Sequence, residues 1–268
     1  MTRDRITSRA NPLVKRLRAL GAERRTREAE QLYLCEGEVM LHEALLSHAP
    51  IRDVLFGSHA SAALLDEAAA QGAQLFAAAD EIVAYCASVV SAQSLVFTVQ
   101  MPQGSDSAVQ DASRLMLLDG VADPGNAGTI LRIADAFSFD AIWLTGACVD
   151  LYAPKVVRSA MGARFRVPTV SFANRQAAVD AVRSLGLPLF GSTLSPDSTP
   201  FDAHDLSRGC IVLGNEANGV SPELLAQCDL RIHIPMTGSA ESLNVAVAAG
   251  ILACHSTRPR NAAAGTPC

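Results

Sequence analysis

The chain has 268 residues, 49% of them hydrophobic and 5% aromatic, and a formal net charge of −5. That length supports one large or two modest cores, and the scarcity of aromatics leaves Ala, Val, Leu and Ile to fill them. No apolar run reaches the roughly 18 residues of a membrane span, and the Arg-rich start lacks a secretory h-region, so the chain reads as cytoplasmic with no membrane partner. The seven cysteines are odd in number and contain no C-x-x-C pair, which reads as reduced thiols used as small apolar fillers. The six histidines do not cluster with them, so no metal is expected.

Charge is placed unevenly. The first thirty residues hold nine Lys/Arg against four Asp/Glu, while the rest of the chain is acidic. This marks the N-terminus as a polyanion-binding surface. Asn11 and Pro12 suit the N-cap and first position of a helix with Leu13, Val14, Leu17 and Leu20 on one face. Lys15, Arg16 and Arg18 occupy the other face, followed by Arg24, Arg25 and Arg27. Such side chains hold phosphates without reading bases; a solvated helix face is the simpler alternative. Lys15 and Lys155 are the only lysines beside twenty arginines, a composition bias that strips meaning from an Arg in place of a Lys.

Strands at 32–35, 51–56, 74–76 and 95–99 then alternate with helices at 38–47, 61–71 and 80–86, the last capped by Asp80. The pattern describes a small α/β domain over residues 1–101. The polar stretch 102–113 has no apolar periodicity and reads as a linker.

Residues 114–119 are nearly all apolar, as in a parallel strand buried on both faces. A loop over 120–126, a helix from Ala127 to Phe137 and a strand at 141–145 follow. The glycines at 120, 125 and 128 do not make G-x-G-x-x-G, and there is no G-K-[ST], which argues against a nicotinamide or nucleoside-triphosphate site. Residues 151–175 hold Lys155, Arg158, Arg164, Arg166 and Arg175 without an acid. Two basic patches favour a long anionic ligand. A helix over 174–185, a strand near 187–193, an apolar strand at 210–214 and a helix opened by Ser221 and Pro222 come next. The strand 230–234, in which His233 reads as structural, leads into a Gly/Ser loop and an apolar helix. Ser242 is the natural N-cap of that helix, with Asn244 in its first turn. A polar loop at the end of an apolar strand is where open α/β sheets bind ligands. Residues 259–268 read as a disordered tail.

Three ordered stretches carry a resemblance. They are Asn126-Ala127-Gly128-Thr129-Ile130-Leu131-Arg132-Ile133-Ala134, Leu213-Gly214-Asn215-Glu216-Ala217-Asn218-Gly219-Val220-Ser221, and Ile234-Pro235-Met236 with Ser242-Leu243-Asn244-Val245; Ser159-Ala160-Met161-Gly162-Ala163 adds to them. Together they resemble the SpoU (TrmH-type) RNA ribose methyltransferases of the SPOUT superfamily. The N-terminal part is more loosely similar to the ribosomal-protein-like substrate-binding domain of many members. Ala246 and Ser138 depart from the pattern, where serine and glycine respectively are usual.

The resemblance implies an α/β methyltransferase domain over 114–258, an open parallel sheet whose C-terminal part forms a deep trefoil knot. It implies a homodimer and S-adenosylmethionine as methyl donor. Gly214, Ile234 and Leu243 fall where the family surrounds the donor, with Glu216 a weaker fourth; a glycine at 214 would let backbone approach the donor closely. Asn126, Arg132, Ser242 and Asn244 match the reaction-site residues. Lys15, Arg16, Arg18, Arg24, Arg25, Lys155 and Arg158 are the candidate RNA contacts. The implied activity is methyl transfer to a ribose 2′-hydroxyl, with large-subunit (23S) ribosomal RNA favoured over tRNA. An antibiotic-resistance methylase is a narrower variant. The alternative of another class is a non-catalytic RNA-binding or ribosome-assembly factor.

Overall fold

The computed structural model describes residues 5–88, 93–102 and 110–257. The proposed tail and most of the linker lie outside the described residues. The chain forms two compact units that interleave in sequence: Met1–Ser105, Asp123–Arg132 and Val149–Val167 make the first, and Asp106–Ala122, Ile133–Cys148 and Pro168–Cys268 make the second.

The first unit opens with α1 (Pro12–Ala22), in which Pro12 is the first residue and Asn11 accepts a hydrogen bond from Leu13 N at 2.9 Å. Helix α2 (Arg24–Glu30) leads to β1 (Leu32–Glu36), α3 (Glu38–Leu46), β2 (Ile51–Phe56), α4 (Ala62–Ala70), β3 (Gln74–Ala77), α5 (Asp80–Cys86) and β4 (Leu95–Gln100). The sheet runs β1-β4-β2-β3, with β4 antiparallel to both neighbours and β3 parallel to β2. Successive strand residues serve opposite faces. Leu34, Leu55 and Val96 join Val14, Leu17, Leu20, Ile82 and Val83 on one side. Tyr33, Val54 and Phe97 join Leu41 and Leu45 on the other, where Val157 completes the cluster. Asp80 is the first helical residue of α5 rather than its cap; its carboxylate instead accepts from Ser58 N and Oγ.

Helix α6 (Pro124–Ala136) begins three residues earlier than the apolar pattern predicts. Asp123 supplies the reason: its Oδ1 accepts from Asn126 N at 2.8 Å, and Pro124 fits the first turn. A helix absent from the sequence reading, α7 (Pro154–Ala160), is followed by the short α8 (Ala163–Arg166). Gly128 on α6 faces α7 so closely that a Cβ there would lie 2.4 Å from Ser159 Cβ and 2.8 Å from Val156 O.

The second unit is a seven-stranded sheet, every pair parallel. Its strands are β5 (Arg114–Asp119), β6 (Ala141–Thr145), β7 (Thr169–Ser171), β8 (Leu189–Ser192), β9 (Thr199–Pro200), β10 (Gly209–Gly214) and β11 (Leu230–His233). They lie in the order β7-β6-β5-β10-β8-β11-β9. The chain first builds outward from β5 to β7, then crosses over. Strand β10 later takes the place between β5 and β8, and β11 the place between β8 and β9. Helices α9 (Arg175–Ser184), capped by Asn174, and α10 (Pro222–Leu225), capped by Ser221, pack with Leu115, Leu117, Trp143 and Val212 on one face. Helix α11 (Val245–Ser256) packs on β10. Among the described residues no helix is long and apolar enough to cross a membrane.

Candidate active site

The C-terminal ends of β8, β10 and β11 empty into one cavity of about 640 Å³. Three loops line it: Ser192–Ser195 after β8, Gly214–Val220 after β10, and the stretch from His233 to Asn244 leading into α11. It lies at the carboxyl ends of parallel strands, where open α/β sheets bind ligands. Gly214, Glu216, Ile234, Leu243, Ser242 and Asn244, all singled out from the sequence, line this cavity.

The β10 loop is a tight turn held by its own backbone. Asn215 N donates to Gly219 O at 3.0 Å and Gly219 N returns a bond to Asn215 O at 2.8 Å. Asn215 Oδ1 accepts from Ala217 N and Asn218 N, while its Nδ2 donates to Gly120 O at 2.9 Å. Glu216 accepts from Ala122 N at 3.1 Å, so its carboxylate ties this turn to the loop after β5. Buried Asp119 fixes the far end, accepting from Ser221 N at 2.9 Å and from Arg175 Nε at 2.8 Å. The turn itself requires the glycine at 214. A Cβ there would sit 2.0 Å from Gly219 C and Val220 N, so the glycine admits the folded-back turn.

The third loop corrects an expectation. Helix α11 starts at Val245 and its N-cap is Asn244, not Ser242. Asn244 Oδ1 accepts from Ala246 N at 2.9 Å and Val247 N at 3.3 Å. Ser242 is exposed, three residues before the first helical residue. Leu243 and, on the β8 loop, Leu194 remain 37% and 55% exposed although both are leucines at a cavity wall. Ile234 lies one residue past β11 and is half-buried. His233 also lines the cavity, with Nδ1 2.9 Å from Ser198 Oγ. The β8 loop, Asn215 and Asp119 went unassigned in the sequence because no local pattern says which strand ends converge.

The remaining reaction-site candidates stand on α6, in the stretch that belongs to the first unit. Asn126 occupies the first turn of that helix, and Arg132 is exposed and forms no ion pair among the described residues.

The basic residues separate into two groups. Arg16 is committed to Glu30 and Asp53, and Arg24 to Glu28 at 2.7 Å. Arg27, read as part of the basic run, is buried and bonds Asp150 at 2.6 Å and Leu20 O at 2.6 Å. Of the second patch, Arg164 is buried against Tyr152, Arg166 pairs with Glu43, and Arg175 holds Asp119. Acids distant in sequence neutralise Arg16, Arg27, Arg166 and Arg175, which a scan along the chain cannot see. Lys15, Arg18, Arg25 and Lys155 stay exposed without an ion pair among the described residues, and Arg158 reaches Ser88 Oγ at 3.4 Å.

Residues 113–254 match the SpoU rRNA Methylase family, and residues 11–96 match the MRM3-like substrate binding domain. The chain belongs to the SpoU rRNA methylase family. It is 32% identical over 251 residues to the 23S rRNA (guanosine(2553)-2′-O)-methyltransferase RlmP of Bacillus subtilis, covering 93% of this chain and 98% of that protein. Among solved SpoU-type structures, the AdoMet-bound rRNA methyltransferase of Sinorhizobium meliloti superposes with a TM-score of 0.84 at 27% identity, covering 94% of this chain and 97% of that one. The SpoU methyltransferase AviRb of Streptomyces viridochromogenes, in complex with AdoMet, gives 0.83 at 27% identity over 93% of this chain and 98% of its own. The α/β parallel-sheet architecture expected of this SpoU chain is therefore the one found.

The cavity of this SpoU chain fits the donor on its own terms. It is large enough for a nucleoside with an amino-acid tail. Leu194 and Leu243 offer uncovered apolar walls for a purine, and the ordered carbonyls and amides of the three loops offer polar partners.

Proposed function

We propose that this protein transfers the methyl group of S-adenosylmethionine to a ribose 2′-hydroxyl of large-subunit ribosomal RNA. The observation that carries the reading is the cavity at the ends of β8, β10 and β11, which gathers Gly214, Glu216, Ile234, Ser242, Leu243 and Asn244 in a chain of SpoU membership. The insertion of β10 and β11 between earlier strands supports a deep trefoil knot in the C-terminal part. The protein acts as a cytoplasmic homodimer. Residues 1–101 serve as the RNA-binding domain, 102–113 as the linker and 114–258 as the methyltransferase domain.

When bound, S-adenosylmethionine supplies a methyl carbon made electrophilic by a sulfonium. Gly214, Ile234 and Leu243 hold the donor, while Glu216 keeps the β10 turn against the loop after β5. Ser242 and Asn244 orient the ribose by donating and accepting hydrogen bonds without adding charge. Orientation of this kind contributes up to roughly 7–11 kcal/mol in the best-aligned cases. Asn126 belongs to the same reaction set. Arg132 grips a phosphate and stabilises the negative charge that develops on the 2′-oxygen. A guanidinium has donors only and stays protonated, which suits an anchor better than a base.

The test is ribose-methylation mapping of 23S rRNA and tRNA from cells lacking the gene, before and after incubation with the purified protein and S-adenosylmethionine. One 2′-O-methyl site restored in 23S rRNA is the expected result. A site restored only in tRNA overturns the substrate, and no restored site overturns the enzyme. Arg132→Ala abolishes restoration while donor binding, measured by calorimetry, stays unchanged.

A further inference from the structure

The first unit carries one arrangement that neither the motifs nor the donor site uses. Arg9 and Arg18 are nine residues apart, yet both converge on the ring of Tyr85 from α5, with guanidinium carbons 4.4 Å and 4.9 Å from its centroid. Their charges therefore lie within about 9 Å of each other. Both residues are exposed, and neither has a carboxylate within ion-pair distance among the described residues. Neighbouring arginines are neutralised internally; these two are not. Two like charges kept together over an aromatic face, with no acid between them, make a site for an anion.

The chemistry narrows the anion. A guanidinium stacked on a ring keeps its N–H groups in plane, where they can hold phosphate oxygens in a bidentate manner. The tyrosine edge and the outer guanidinium face accept a stacked base, which requires a base free of its duplex partner. We propose that Arg9, Arg18 and Tyr85 form a docking platform for an unpaired nucleotide of the RNA substrate. The platform grips its phosphate and stacks its base. This rests on the reading of the N-terminal part as RNA-binding and names the residues and the RNA feature involved.

The test uses the full-length protein and fluorescence anisotropy with two probes, a single-stranded RNA decamer of mixed sequence and the duplex of the same sequence. The wild type binds the single strand more tightly than the duplex. Arg9→Gln with Arg18→Gln weakens single-strand binding at least tenfold and lowers the salt slope by about 0.7, the amount that one lost phosphate contact counts on a single strand. Arg9→Lys with Arg18→Lys keeps the charge and the salt slope but still binds several-fold more weakly, because an ammonium cannot stack. An unchanged thermal melt followed by far-UV circular dichroism in every variant certifies the fold. Full binding by the double lysine variant overturns the platform and leaves plain charge attraction. Loss of binding confined to Lys15→Gln with Arg25→Gln overturns the platform but keeps the RNA-binding reading. Failure of the wild type to bind either probe overturns both, and equal binding of strand and duplex overturns the unpaired nucleotide.

Discussion

Asn244 occupies two roles that substitution can separate. Its Oδ1 caps α11 by accepting from Ala246 N and Val247 N. Asn244→Ala leaves both amides without that partner, and a lost N-cap costs about 1 kcal/mol, within a range of roughly 0.5–2. For a chain of this size that lowers Tm by about 2–4 °C. Asn244→Asp keeps an oxygen for both amides and places a negative charge at the positive end of the helix, so the melting temperature stays at or above wild type. The same change replaces an amide donor with an acceptor-only carboxylate beside the proposed developing oxyanion. Loss of one such donor lowers transfer by about 10²–10³-fold. Thermal melts and single-turnover methyl transfer on 23S rRNA read the two effects separately. An Asn244→Ala protein that melts with wild type refutes the capping argument. An Asn244→Asp protein that transfers at the wild-type rate reduces Asn244 to a cap.

Gly214→Ala forces a Cβ to 2.0 Å from the backbone of Gly219 and Val220, so the turn must open and its two cross-bonds weaken. At about 1 kcal/mol per bond the donor Kd rises roughly thirtyfold, read by calorimetry, and an unchanged Kd contradicts the account. Arg27→Met strands the Asp150 carboxylate in a half-buried position and costs about 3–5 kcal/mol in urea unfolding; a loss under 1 kcal/mol shows the pair to be dispensable. Burial pushes the Cys86 thiol up to about 11 and the Cys228 thiol up to about 12. Folded-state values above the unfolded one mean that this stability is whole below about pH 9 and is lost as pH climbs toward 11–12. The urea midpoint therefore holds from pH 7 to 8.5 and falls above pH 9, and the alkaline fall shrinks in Cys86→Ala with Cys228→Ala. A fall of the same size in that double variant contradicts the assignment.

What was legible in the sequence was local. Asn11-Pro12 and Ser221-Pro222 announced their helices because a cap and a first-position proline sit side by side. Asp123-Pro124 is the same signal, and reading it would have placed Asn126 in a helical turn instead of a loop. Continuous apolar runs located β5, β6 and β10. Strand order was not legible, because nothing within β10 says that it enters between β5 and β8. The choice between Ser242 and Asn244 as cap turned on where the Gly/Ser loop ends, and both residues suit the position chemically. Charge misled where the side chain is buried: Arg27 and Arg164 belong to the interior, and only the folded chain reveals it.

The interleaving of the two units has a consequence for synthesis. The cluster around Tyr33, Leu41 and Phe97 is completed by Val157, with Tyr152 and Phe165 packed against it. A ribosome that has released residue 105 has therefore delivered a sheet whose apolar flank still waits for some sixty more residues. At roughly 5–20 residues per second that interval lasts about 3–12 s. During it the nascent chain shows an uncovered aromatic surface, a natural landing place for a chaperone and a weak point for any truncation that stops short of residue 167.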